Sequence, residues 1–74
     1  MNKNIFIIDI DTKENVGLID FIPRREERII INYKGRNVEY KVRCVVYYPR
    51  NNAILVFSDL VSNYYEKMIE DIKW

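Results

Sequence analysis

The chain has 74 residues, 12 of them basic and 11 acidic, with one cysteine and no histidine. That length holds one domain, 1–74, with one small core, and a composition 49% hydrophobic with two Gly and two Pro excludes a disordered or collagen-like chain. One cysteine excludes an internal disulfide, and the absence of histidine removes the commonest general base, metal ligand and near-neutral pH switch.

Met1–Asn4 followed by Ile5–Ile8 begins like a signal sequence, but Asp9 and Asp11 end the apolar run too early. Ile5 to Ile10 is then a first strand, with Phe6, Ile8 and Ile10 on one face and Ile5, Ile7 and Asp9 on the other. Asp9-Ile10-Asp11-Thr12 after that strand resembles the first motif of haloacid-dehalogenase-type phosphatases over eight residues. Thr12 stands one position early, and that family's parallel α/β sheet is well beyond this length, so a hairpin turn with solvated carboxylates is expected. A weak Mg²⁺ or Ca²⁺ site at Asp9, Asp11 and Glu14 would need further oxygen ligands that the sequence does not offer. No metal and no cofactor are therefore expected.

Val16 to Ile22 reads as the second strand, ended by Pro23, which has no amide hydrogen to donate. Arg24 to Glu27 is a charged corner, and Arg28 to Tyr33, rich in β-branched Ile, is the third strand. Gly35 in Lys34-Gly35-Arg36-Asn37 predicts a tight hairpin into the strand 38–48. In that strand Val38, Tyr40, Val42 and Cys44 alternate with Glu39, Lys41 and Arg43, the period of a half-buried strand. The alternation fails at Val45-Val46-Tyr47-Tyr48, which is apolar on both faces and asks for cover on both. Pro49-Arg50-Asn51-Asn52 is a turn, and Ala53 to Phe57 a fifth strand.

The period then changes. Leu60, Val61, Tyr64, Tyr65, Met68, Ile69 and Ile72 fall on one helical face, with Ser58 or Asp59 placed to cap the first amides. The expected fold is α+β. Five strands at about 5–10, 16–22, 28–33, 38–48 and 53–57 run as an antiparallel meander, which either curls into an SH3-like or OB-like small barrel or stays open with the helix across one face. A C-terminal amphipathic helix at about 60–73 packs on it.

Charge is segregated along the chain. Arg24, Arg25, Arg28, Lys34, Arg36, Lys41, Arg43 and Arg50 face only Glu26, Glu27 and Glu39 in the middle third, while both flanking segments are net acidic. Interleaved with Tyr33 and other tyrosines, Arg24, Arg25, Arg28, Arg36, Arg43 and Arg50 form a pattern that could bind nucleic acid or a nucleotide, Arg pairing with phosphate and Tyr stacking on bases. An overall pI of 7.8 is low for such a module. The same residue types mark protein interfaces, and Arg43, Val45, Tyr47 and Tyr48 are the candidate contact residues.

Cys44 lacks a histidine partner and is expected to pack in the core. No Gly-rich phosphate loop is present. The function expected is therefore non-catalytic: a small accessory protein that docks on another protein and forms a homodimer. Half of the residues are Phe, Tyr, Met, Ile, Asn or Lys, the amino acids of AT-rich codons, which suggests a phage or other mobile element and an inhibitor or adaptor of a host complex. No run nears the ~20 apolar residues of a membrane helix, so the expected location is the cytoplasm, that of the host if a virus encodes the chain.

Overall fold

The computed structural model describes residues 4–61 and 69–73. Five strands make up the described chain: β1 (Asn4–Asp9), β2 (Asn15–Ile19), β3 (Arg28–Tyr33), β4 (Arg36–Tyr48) and β5 (Ala53–Val61), with a 3-10 turn, Pro49–Asn51, before β5. They lie in one sheet in the order β2-β1-β5-β4-β3. Local turn chemistry sets the hairpins. Lys34 and Gly35 both take positive φ, 54° and 78°, the conformation of a two-residue turn whose twist matches its strands. Asn52, left-handed at φ 52°, donates its amide to Pro49 O and turns the chain into β5.

The sheet is a nearly closed barrel. β2 and β3 end the strand order, yet their side chains meet. A Cβ placed on Gly17 would lie 3.1 Å from Ile31 Cδ1, and the Tyr33 hydroxyl donates to Glu14 Oε2 at 2.9 Å. Side chains therefore seal this seam. Inside lie Ile5 and Ile7 from β1, Val16 from β2, Ile29 from β3, Tyr40 and Val42 from β4, and Ile54 and Val56 from β5. Each such aliphatic side chain contributes about 1.5–3 kcal/mol by leaving water, which is the main force holding so short a chain closed.

The expected α+β fold is overturned: the described residues are all-β and contain no helix of seven or more residues. Leu60 and Val61, assigned above to the first helical turn, are the last residues of β5, where Leu60 is 53% exposed. Ser58, taken as a helix cap, is buried within β5 and donates Oγ–H to Val56 O. Ile69 and Ile72 are exposed, while Tyr64, Tyr65 and Met68 lie outside the described residues. The meander is overturned as well, because β1 pairs in parallel with β5, Asn4 opposite Ala53 through Asp9 opposite Ser58. This pairing joins the β1–β2 hairpin to the β3-β4-β5 meander, and it sets β1 in the interior of the sheet. The second strand is also shorter than expected. It ends at Ile19, and Phe21 and Ile22 stand exposed in the connection.

Candidate protein-docking face

The break in alternation along β4 has a structural cause. Val42 lies opposite Ser58 and Cys44 opposite Phe57, so Arg43 is an extra residue, a β-bulge. Up to the bulge, Tyr40 and Val42 point inward. Past it the parity inverts, Val45 packs against the core, and Cys44 and Val46 turn outward. Cys44 is therefore exposed, contrary to the core position that strict alternation gives it. Of the four candidate interface residues, Val45 belongs to the interior row. Tyr47 follows it in that row but is 54% exposed, and Tyr48 is exposed on the outer row. Arg43 forms an ion pair with Asp59, Nε to Oδ2 at 3.3 Å.

Register shows what Cys44 and Val46 join. Cα partners on neighbouring strands share a face. Val46 lies opposite Leu55, and Leu55 opposite Phe6. Phe6 in turn lies opposite Leu18, while Cys44 lies opposite Phe57 and Phe57 opposite Ile8. One apolar band thus crosses the outside of the sheet from β2 to β4. Leu18 is 65% exposed at its edge, and Phe6, Ile8, Leu55 and Phe57 are half-buried. Beside Leu18, the barrel mouth opens into a groove of about 450 Å³ lined by Ile5, Ile19, Ile22 and Ile54 with Asn4 and Asp20.

The outer surface of β3 and the first half of β4 has the opposite character. Arg28, Lys41, Glu39, Asn32 and Asn37 share it with Ile30. Glu39 is 1% exposed and accepts from Arg28 Nη1 at 3.0 Å, while its second oxygen, Oε1, is buried without a hydrogen bond. Lys41 holds Glu26 at 2.8 Å. That contact, opposed by burial and helped by the neighbouring Arg43 and Arg25, keeps the Glu26 carboxyl below its ordinary range.

Of the residues proposed for phosphate binding, Arg25 and Arg43 both neighbour Glu26, and three of the set have acidic partners. Arg25 lies 3.7 Å from Glu26, and Arg28 and Arg43 face Glu39 and Asp59. Arg36 starts β4 and Arg50 follows its end, so 13 extended residues, about 40 Å, separate the two. Arg24 is exposed on the corner, its amide bound by the Glu27 carboxylate. Tyr33 is half-buried, its hydroxyl held by Glu14, with Lys34 Nζ 5.1 Å from its ring centre.

Asp9 is not solvated, contrary to the hairpin-turn expectation. It is buried, Oδ1 accepts from the amides of Asp11 (2.9 Å) and Thr12 (3.2 Å), and Oδ2 accepts from the Tyr40 hydroxyl at 2.8 Å. Burial alone would raise this carboxyl, but the bonds from Tyr40, Thr12 and Asp11 outweigh it and hold Asp9 below its ordinary 3.8. Burial, and then the bond to Asp9, push the Tyr40 phenol up. With both oxygens engaged, Asp9 organises the β1–β2 turn. No cluster of three or more metal-ligating side chains occurs among the described residues, and no described helix is long and apolar enough to cross a membrane.

Phe6, Ile8, Leu18, Leu55 and Phe57 are absent from the sequence-derived candidates. The signal for four of them was present: Ile5–Ile8 and Ile54–Phe57 are apolar on both strand faces, as Val45–Tyr48 is. Comparison with family models, with curated proteins and with solved structures gives no match.

Proposed function

We propose that the chain is a non-catalytic protein-binding module whose docking surface is the outer apolar band of Leu18, Phe6, Ile8, Leu55, Phe57 and Val46. One observation carries this reading: side chains that the barrel interior does not need form a continuous apolar strip over four neighbouring strands. Contiguous apolar surface of this kind, bordered by polar residues, is typical of protein contact sites. A role as inhibitor or adaptor of a larger complex suits so small a chain. The acid partners of Arg25, Arg28 and Arg43, and the distance between Arg36 and Arg50, weigh against the nucleic-acid alternative.

The test places a photo-crosslinking residue at Val46 and, separately, at Asn37 on the polar half. A partner protein captured from Val46, not from Asn37, and lost in a Leu55→Lys variant is the expected result. Equal capture at both positions, or capture indifferent to Leu55→Lys, overturns the reading. Binding of a labelled single-stranded oligonucleotide that weakens steeply with salt would favour the alternative.

A further inference from the structure

The 24–27 corner folds back on β4 beside the bulge. The Val42 amide donates to Glu27 O and the Val42 carbonyl accepts from Glu26 N, both at 2.8 Å. Glu26 sits in the left-handed region at φ 73°, and non-glycine residues held there cluster at ligand clamps and switch segments. Its two carboxylate oxygens meet two different cations. Oε2 lies 2.8 Å from Lys41 Nζ, and Oε1 lies 3.7 Å from Arg25 Nε. Arg43 is the third cation of the cluster, close enough to add to the lowering of the Glu26 carboxyl that the Lys41 bond begins. Arg43 itself holds Asp59 at 3.3 Å, and Asp59 is the Cα partner of Lys41.

These contacts differ in strength. Two backbone bonds to Val42 fix the corner, whereas the ion pairs of Glu26, whose side chain is 51% exposed, are of the kind that water and salt screen. The carboxylate can therefore rotate off the cations while the backbone stays in place. It leaves behind Arg25, Lys41 and Arg43 facing Asp59 alone, a surplus of two positive charges. A phosphate monoester carries about −1.5 to −2 at neutral pH, and two guanidinium forks with one ammonium supply the donors its oxygens accept. We infer that Arg25, Lys41 and Arg43 form a site for a single phosphate group, and that Glu26 occupies it as an internal stand-in until such a group displaces it. The inference goes beyond the docking band, since none of these residues belongs to it. The cluster nevertheless borders that band where Cys44 lies opposite Phe57, within reach of a phosphorylated side chain on a protein that covers the band. The site takes one phosphate and not a strand, because Arg36 at the start of β4 and Arg50 beyond its end lie outside it.

The test titrates the full chain with inorganic phosphate at neutral pH and constant ionic strength, following backbone amides and arginine Nε–H groups by proton–nitrogen correlation NMR. The expected result is saturable shifts at Arg25, Lys41 and Arg43 that chloride does not produce, with Arg36 and Arg50 little moved. Glu26→Gln removes the competing charge and keeps the shape, so phosphate affinity rises about three- to fivefold, the size of one exposed ion pair. Lys41→Gln abolishes saturation. Equal shifts at Arg36 and Arg50, no tightening in Glu26→Gln, or native affinity in Lys41→Gln overturns the inference. A second titration uses a capped phosphoserine. Binding at least as tight as that of inorganic phosphate assigns the site to a phosphorylated side chain, and weaker binding assigns it to the free anion; either sustains the site. Far-UV circular dichroism matching the native protein establishes that each variant is folded. Failure here leaves the docking band standing, since cross-linking from Val46 uses none of these residues.

Discussion

Tyr40→Phe isolates one buried hydrogen bond and leaves the packing almost intact. The Tyr40 ring is 2% exposed in the barrel core, and its hydroxyl is the donor to Asp9 Oδ2 at 2.8 Å. Removing the oxygen keeps the ring but leaves one oxygen of a carboxylate, itself only 5% exposed, without a partner. A bond to a charged group contributes roughly 1.5–3 kcal/mol, so a loss of about 2 kcal/mol is expected at neutral pH. For a chain whose whole stability is of order 4–11 kcal/mol, and whose urea dependence is about 1 kcal/mol per molar, the unfolding midpoint falls by about 2 M.

The effect carries a pH signature. A carboxyl held below its ordinary value stabilises the fold fully above the unfolded pKa, and the stability is lost as pH falls through the folded pKa. Removing the Tyr40 bond leaves burial less opposed, so the carboxyl rises and acid unfolding begins at higher pH. Urea titrations of both proteins from about pH 7 down to about pH 4, with an Asp9→Asn double-mutant cycle, measure this. A loss below about 0.5 kcal/mol at neutral pH, or a cost that Asp9→Asn does not diminish, would refute the reasoning.

Two other perturbations examine the seam and the bulge. Gly17→Val sets new methyl groups against Ile31, whose Cδ1 already lies 3.1 Å from an ideal Cβ at position 17, and should cost about 1–3 kcal/mol in urea unfolding. Pairing it with Ile31→Ala should recover part of that loss, and no recovery would argue against direct contact across the seam. Cys44, turned outward by the bulge at Arg43, should react completely with a thiol reagent under native conditions at a rate near that of the unfolded chain, whereas labelling limited by unfolding would place it inside.

The strands were legible where one face is buried and the other wet. Ile29, Ile31 and Tyr33 pack inward while Arg28, Ile30 and Asn32 face out, and β3 spans 28–33. The Lys34-Gly35 turn was legible because few residues other than glycine take positive φ at low cost. Three features were not. The parallel pairing of β1 with β5 is a register between distant segments, and no local period records it. The bulge adds one residue without changing the polarity pattern before it, so Cys44 counts as inward until the partner strand is seen. Leu60 and Val61 satisfy both a helical and a strand period, and the pairing of Tyr40 with Leu60 and Glu39 with Val61 decides for the strand. For the candidate site, Val46 lies between two of the sequence-derived candidates without being one, and on β1 and β5 the period separates two apolar faces without saying which of them turns outward.

The parallel β1–β5 pairing has a consequence for the time at which the molecule becomes whole. Asn4 waits for Ala53, a partner 49 positions further along a chain of 74. Contacts of such sequence separation slow folding, because loop closure is entropically opposed before it is rewarded. During synthesis at about 5–20 residues per second, several seconds pass between the emergence of β1 and that of its mate. Throughout that interval Ile5-Phe6-Ile7-Ile8 presents an open apolar edge, guarded on one flank only by the β2 hairpin. The strand that ends in the middle of the finished sheet is thus, for most of the chain's birth, its most adhesive border.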